Sequence, residues 1–305
     1  MTSWIEAAFS QGAEIRVEQL VALRKVAPLL PVYKQKKVVN DLSGRYRSSL
    51  RGRGMDYSEV RQYQAGDDLR SMDWRVTART GMAHVKVFHE ERERPVLVVC
   101  DLRANMFFGS KRALKSVVAG DVTSLLAWAA VEAGDRIGAL IFNDQKEWDI
   151  RPKTGSKAVL KIIKELGQQQ PTPAQNAEQR MEQICRHLRR VATPGSCIYF
   201  ISDFLGFNAA CQQQLFQVVR HSDIIALQIT DPLEQELPPP GQYLISDGQQ
   251  NYLVDSRQKN AREQYRAAFA KRQQELEQAL HTLRIPCLGV STQDSNLLDK
   301  LVLAL

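Results

Sequence analysis

The stretch Val96-Leu-Val-Val-Cys100, followed at once by Asp101, decides the fold of this chain. A continuous apolar run of this length predicts a strand that is buried on both faces. The run Ser196-Cys-Ile-Tyr-Phe-Ile-Ser202 repeats the pattern and leads into Asp203. Helical periodicity separates such strands along the rest of the chain. We therefore predict an α/β fold, a three-layer domain with a mostly parallel sheet, over residues 95–305.

The two aspartates mark the edge of the sheet at which we expect binding. In open α/β sheets the ligand crevice lies outside the carboxyl ends of the strands. Asp101 and Asp203 each follow an apolar strand, so both carboxylates should lie at that edge. The chain has no Walker A loop, no Gly-x-Gly-x-x-Gly loop and no Gly-x-Ser-x-Gly elbow. Nucleotide hydrolysis and esterase chemistry therefore lack the loops they need.

Composition indicates an ordinary soluble protein. The 305 residues are 44% hydrophobic and 25% charged, and the net charge of +7 is concentrated in the first third. No apolar run approaches the length of a membrane-spanning helix, and the first residues lack a secretory signal pattern. The five cysteines show no metal-ligand spacing, which favours reduced thiols. We expect a cytoplasmic protein without membrane contact.

Three segments are expected along the chain. Helical periodicity over residues 4–30 predicts an N-terminal helical segment, residues 1–40. A subdomain rich in Arg, Gly and Asp follows at residues 41–94, and the α/β domain occupies residues 95–305. Near the end of that domain, a long helix over residues 257–283 carries an apolar stripe that we expect to face the core: Tyr265, Phe269, Leu276 and Leu280.

The subdomain of residues 41–94 shows a glycine-rich loop that displays several arginines. The stretch 65–74 predicts a turn into a short helix, with Asp67 or Asp68 as its N-cap. The arginines are expected to form an internal clamp with the acidic residues, or else a docking surface for an acidic partner. Nucleic-acid binding is a third alternative, but the segment lacks the basic-aromatic rhythm of single-strand binders and any recognisable helix-turn-helix or zinc module. The residues concerned are Arg45, Arg51, Arg53, Asp67, Asp68, Arg70, Asp73 and Trp74.

A long composite motif carries a family resemblance. The segment from Leu50-Arg-Gly-Arg-Gly-Met to Arg-Ser-Met-Asp-Trp74, with Ala78-Arg-Thr-Gly81 and Glu90-Glu-Arg92, closely resembles the signature of the bacterial domain of unknown function 58 family. The part after Pro95 resembles the von Willebrand factor A-like domain that this family carries. The resemblance implies an accessory protein of a MoxR-type AAA+ ATPase, with no assigned reaction. It also implies a metal-ion-dependent adhesion site, in which an Asp-x-Ser-x-Ser loop, a Thr and a second Asp hold Mg²⁺.

This chain departs from that motif at the residues that would hold the metal. Arg103 and Asn105 stand where the motif has serines, and arginine offers only donors and a permanent positive charge. Thr154 and Thr172 are the candidates for the motif's threonine. We expect Arg103 to pair with Asp101 or Asp203 in place of a cation. The degenerate edge then comprises Asp101, Arg103, Asn105, Thr172 and Asp203, of which Asp101, Asn105 and Asp203 would be the ligands if Mg²⁺ bound.

The resulting hypothesis is a non-catalytic adaptor that needs no cofactor and works with a MoxR-type ATPase. The first alternative is an Mg²⁺-dependent binding or enzymatic site at the same edge. The second is a nucleic-acid binder that uses the arginines of residues 45–53.

Overall fold

Two compact units make up the structure, a computed structural model that describes residues 9–30, 55–64, 69–90, 95–174, 176–246, 251–294 and 297–304. The larger unit joins Met1–Lys34 to Arg94–Leu305, and the smaller unit is Gln35–Glu93. The first part of the chain therefore clusters with the α/β domain, whereas the sequence suggested a separate segment of residues 1–40.

Strands and helices alternate along most of the chain after Pro95. The α-helices are α1 (Val17–Ala22), α2 (Trp74–Thr80), α3 (Lys115–Glu132), α4 (Ser156–Gly167), α5 (Ala177–Val191), α6 (Ala209–Val219), α7 (Pro232–Gln235), α8 (Lys259–Thr282) and α9 (Leu297–Ala304). The strands are β1 (Met55–Gln62), β2 (His84–Glu90), β3 (Pro95–Asp101), β4 (Arg136–Phe142), β5 (Glu147–Lys153), β6 (Cys197–Ser202), β7 (Asp223–Thr230), β8 (Gln242–Ser246), β9 (Asn251–Asp255) and β10 (Cys287–Ser291). No helix in the described part of the chain has the length and apolarity needed to span a bilayer.

A six-stranded sheet in the order β10-β7-β6-β3-β4-β5 organises the larger unit. All neighbouring pairs are parallel except β4 and β5, which are antiparallel. The predicted α/β fold with a mostly parallel sheet is confirmed. The chain leaves β3 toward β4 and leaves β6 toward β7, in opposite directions across the sheet. A crevice is therefore expected between the carboxyl ends of β3 and β6.

Helices cover both faces of this sheet, which explains why its central strands are apolar throughout. Along β3, Val96 and Val98 face one core, formed with α3 and α4. Leu97 and Val99 face the other core, formed with α5 and α6. Successive side chains of a strand point to opposite faces, so two covered faces require an uninterrupted apolar run.

The N-terminal residues are less helical than their periodicity predicts. Only α1 and two single 3₁₀ turns, Leu23–Lys25 and Ala27–Leu29, are helical within residues 9–30. Residues 9–16, which we call the N-terminal strap, precede α1. In this segment the Gly12 amide donates to the Arg112 carbonyl at 2.9 Å. The Trp128 indole donates to the Leu20 carbonyl at 3.1 Å. The apolar residues of this segment, such as Leu20 and Leu23, belong to the core that contains α3.

Helix α3 is buried along most of its length and carries a buried carboxylate, Asp121. Ser10 holds that carboxylate, since its amide donates to Oδ2 at 2.8 Å and its hydroxyl to Oδ1 at 2.6 Å. Burial raises the pKa of Asp121 to about 6, and the Ser10 hydrogen bonds only partly oppose the shift. A carboxyl with a raised pKa in the folded state favours folding at low pH, and this contribution is lost as pH rises toward 6.

Replacing Asp121 with asparagine should therefore stabilise the protein at neutral pH. Asparagine keeps the shape, and its Nδ2 can donate to the Ser10 hydroxyl while Oδ1 accepts from the Ser10 amide. We expect D121N to gain up to about 3 kcal/mol over the parent at pH 7.5, and the gain to vanish near pH 4. Urea unfolding across this pH range measures it. A constant difference between the two proteins at every pH would contradict the assignment.

The smaller unit contains an antiparallel pair of strands and, between them in the chain, a capped helix. Strands β1 and β2 are antiparallel, and the predicted strand at His84 is present. Helix α2 begins at Trp74, with Asp73 as its N-cap: the carboxylate accepts from the Arg75 and Val76 amides. The helix thus begins later than predicted, and residues 69–71 form only a 3₁₀ turn. Within this unit Asp67, Asp68, Arg45, Arg51 and Arg53 lie outside the described residues, so their clamp or docking roles stay predictions. Arg70 and Trp74 are exposed.

The long helix α8 contributes less to the core than its stripe predicts. Of the four residues named above, Leu276 and Leu280 are buried. Tyr265 is 37% exposed. The amino-terminal half of α8 therefore leaves its aromatic residues outside the core.

Candidate functional site

Four aspartates stand where four parallel strands end, at one edge of the sheet. Asp101 ends β3, Asp203 follows β6, Asp231 follows β7 and Asp144 lies two residues beyond β4. The sequence predicted that Asp101 and Asp203 would share this edge, and the parallel pairing of β3 with β6 places them there. A concentration of buried carboxylates requires compensating cations, because an isolated buried charge is strongly destabilising.

Arg103 supplies the first of those cations. Its guanidinium binds Asp101 through Nε to Oδ1 at 3.0 Å and through Nη2 to Oδ2 at 2.7 Å, and both side chains are 0% exposed. The Arg103 amide also donates to Oδ1 at 3.0 Å, and the Ser202 hydroxyl donates to Oδ2 at 2.6 Å. A carboxylate has about four lone-pair sites. Those of Asp101 are therefore fully engaged by protein donors.

Lys115 supplies the second cation. Its Nζ lies 2.7 Å from Asp203 Oδ2 and 2.5 Å from Glu234 Oε1, with no exposed surface on the lysine side chain. Asn105 Nδ2 donates to Asp203 Oδ2 at 2.6 Å, and Arg103 Nη2 lies 3.8 Å from Asp203 Oδ1. Asp101, Arg103, Asp203, Lys115 and Glu234 thus form one chain of alternating charges, which we call the edge network.

Neighbouring charges oppose the effect of burial on three members of the edge network. Burial alone would lower the pKa of Arg103, but the charges of Asp101 and Asp203 hold it above its ordinary value. Burial likewise opposes the charge of Lys115, and Asp203 with Glu234 raises its pKa. Although burial acts to raise the pKa of Asp203, Lys115 and Arg103 hold it below the usual range. The charges of these three groups therefore depend on their neighbours, as expected for buried pairs.

The loop after β4 joins this edge through hydrogen bonds to Asp144. The Ala104 amide donates to Asp144 Oδ2 at 2.6 Å. Thr172 Oγ1 also reaches Asp144 Oδ2, at 3.4 Å. Thr172 is therefore linked to Asp144 and not to Asp101 or Asp203, and Thr154 is exposed at the end of β5.

The residues at this edge do not fit a magnesium ion. Mg²⁺ requires oxygen ligands with free lone pairs in near-octahedral geometry. Here Asp101 is saturated by four donor groups, and Asn105 presents its Nδ2, a donor, to Asp203. Within the described ranges, no group of three or more His, Cys, Asp or Glu side chains is arranged to hold a metal ion. The guanidinium of Arg103 takes the place that a cation would need.

Comparison with known families identifies the chain. The model for the "Protein of unknown function DUF58" family matches residues 59–275. The chain belongs to the DUF58 family. Uncharacterized proteins of Mycobacterium tuberculosis and Mycobacterium bovis are 26% identical to it over 266 residues, covering 87% of this chain and 83% of theirs.

Two solved structures resemble this DUF58 protein more distantly, each at 13% sequence identity. One is the conserved hypothetical protein BatB from Bacteroides thetaiotaomicron, with a TM-score of 0.36 over 63% of this chain and 98% of BatB. The other is an aerotolerance-related membrane protein from Bacteroides fragilis, with a TM-score of 0.38 over 67% of this chain and 93% of that one.

Several charged residues at this edge of the DUF58 chain escaped the sequence prediction. Asp144 and Asp231 follow apolar strands just as Asp101 and Asp203 do, so the same rule would have found them. Lys115 is the one cation of α3, a helix buried along most of its length, and such a buried cation itself signals an anionic partner. Glu234 belongs to a capping box with Asp231.

Proposed function

We propose that this DUF58 protein is a non-catalytic adaptor with a von Willebrand factor A-like domain, which binds a MoxR-type AAA+ ATPase through the carboxyl-end edge of its sheet. The saturation of Asp101 by Arg103 and Ser202 carries the proposal. A carboxylate with no free lone pair cannot act as a general base or a metal ligand. The buried ion pairs thus fix the loops at this edge, and partly exposed residues there, such as Thr172, are left for recognition.

The strand order supports the finer assignment of the fold. Numbered by their order in the chain, the six strands run 3-2-1-4-5-6 across the sheet, with the third antiparallel at the edge. This is the order of doubly wound sheets whose ligands bind between strands 1 and 4. Here that position is occupied by Asp101, Arg103 and Asp203. We place the complex in the cytoplasm, where an ATP-dependent partner finds its nucleotide.

Co-purification of the full chain with its cognate ATPase tests this proposal. An arginine at Thr172, which is partly exposed near the edge, should obstruct the partner and weaken capture by about tenfold or more. The ATPase rate should respond to the parent protein and lose that response with T172R.

The matched control is P194R, which places the same side chain on an exposed loop before β6, at the opposite end of the strands. It should leave capture and ATPase response unchanged. Absence of binding by the parent protein, or equal losses with T172R and P194R, would refute a partner site at the carboxyl-end edge.

A further inference from the structure

A cleft of about 750 Å³ opens beside the edge network. Its walls are the loop that follows Asp203 and the exposed stripe of α8, and its floor includes Gln228 of β7. Glu234 stands at the end near the network. We call it the α8 cleft. Its volume suits a side chain or a short extended segment of a protein.

Aromatic rings line both walls of the α8 cleft. Phe204 and Phe207 stand on the loop side, with ring centroids 6.1 Å apart, and Tyr265 and Phe269 stand on α8. The Tyr265 hydroxyl donates to the Leu233 carbonyl at 3.1 Å, which fixes that ring. The faces of aromatic rings attract cations. The wall already holds one, because the Arg272 guanidinium lies 5.5 Å from the centre of the Phe269 ring.

The floor of the α8 cleft is polar and ordered. The side-chain amides of Gln228 and Gln273 pair with each other at 2.8 Å in both directions. Phe204 has a φ of 57°, a left-handed conformation that is uncommon for a bulky residue. Its amide donates to the Ser202 hydroxyl at 2.8 Å, so the turn is tied to Asp101 through Ser202. The cleft is thus formed before any partner arrives.

Several carboxylates line the α8 cleft. They include Glu178, Asp203 and Glu234, and Lys115 is the shared counter-ion of the last two. The side chain of Glu234 keeps 25% of its surface exposed, and Glu178 is exposed in the first turn of α5. A cleft with apolar walls and an excess of one charge focuses the field on its ligand.

Arg272 is a cation among the lining residues, against the carboxylates of Glu178, Asp203, Glu234 and Glu275, so acidic groups remain in excess. Other cations of α8 have acidic partners of their own. Arg262 and Arg266 both bind Glu236, at 3.1 and 2.6 Å. Lys271 lies 3.9 Å from Glu275.

We infer that the α8 cleft receives a lysine or arginine side chain carried on an extended segment of a partner protein. The inference rests on the proposed function and names the chemistry of the partner. The aliphatic stem packs between the aromatic walls, and the charged head reaches Glu178 and Glu234. The group bound from the partner would then be a cation, whereas a metal-bridged site would bind a carboxylate of the partner.

Fluorescence polarisation with the full chain tests the inference. The probes are identically labelled, capped peptides on one Gly/Ser/Leu background, whose two central residues are Lys-Arg, Gln-Gln or Glu-Glu. We expect the Lys-Arg peptide to bind about tenfold more tightly than the Gln-Gln peptide, with a preference that falls as salt is added. Binding of all three with equal affinity, preference for Glu-Glu, or binding of none would each overturn the inference.

Paired variants separate the cleft from the rest of the surface. E178Q and F269S should each weaken the Lys-Arg peptide about fivefold or more. E182Q, one turn further along α5, and F216S, at an exposed ring outside the cleft lining, should not. Equal effects of the cleft variants and their controls would overturn the inference. If the ATPase still binds the parent and is blocked by T172R while no peptide binds, the cleft inference alone fails and the proposed function stands.

Discussion

Replacing Arg103 with methionine is expected to destabilise the protein by about 3–5 kcal/mol, the usual effect of removing one partner of a buried ion pair. Methionine keeps much of the length and apolar bulk of the side chain. The loss therefore comes from leaving Asp101 buried with no counter-ion and Asp203 with Lys115 alone. The free energy of unfolding of a typical domain is only about 5–15 kcal/mol. A loss of this size should therefore be readily measured by urea unfolding.

A second variant distinguishes charge from packing at this position. R103K keeps a cation but not the two-pronged hydrogen bonding, so its loss should be smaller than that of R103M. If R103M is as stable as the parent, or R103K is the worse of the two, Arg103 is not the cation of this edge.

Replacing Lys115 with methionine should have an effect of the same size, about 3–5 kcal/mol. The ammonium lies within 2.7 Å of both Asp203 and Glu234. Without it, the carboxylates of Asp203 and Glu234, which both contact the ammonium, lie close together and repel. The lowered pKa of Asp203 depends on Lys115, so the parent should lose stability on acidification as that group is protonated. K115M should instead gain stability over the same change.

A double variant identifies the source of that loss. K115M/E234Q removes one of the two repelling charges and should recover about 1–2 kcal/mol relative to K115M. K115M/E236Q is the matched control, because Glu236 is a neighbouring carboxylate that binds Arg262 and Arg266 instead. Recovery with both doubles, or with neither, would show that Lys115 does not balance Glu234.

The fold was predictable because the apolar pattern of the strands is strong. Runs such as Val96–Cys100 allow few structures other than a doubly covered parallel sheet. The N-terminal strap was not predictable, because its hydrogen bonds to Arg112 and Leu114 depend on contacts distant in sequence. Tyr265 and Phe269 have the spacing of core residues, and their position in the α8 cleft depends on contacts distant in sequence.

The part of the candidate site that could be predicted from the sequence is the part where a charged residue follows a buried strand. Arg103 after a buried aspartate demands an anionic partner within reach. Asn105 was considered as an oxygen ligand, whereas the structure has its amide nitrogen donate to Asp203. Glu234 could not be located, since its approach to Lys115 is set by the turn after β7 and not by any local pattern.

Calorimetric titration of the full chain with Mg²⁺ and Mn²⁺ shows whether Arg103 replaces a metal at the carboxyl-end edge. We expect no saturable heat and no shift in Tm up to about 10 mM of either ion, whose preferred ligands need free oxygen lone pairs. Saturable binding of either ion at millimolar or lower concentration, lost in D101N and D203N, would contradict that replacement.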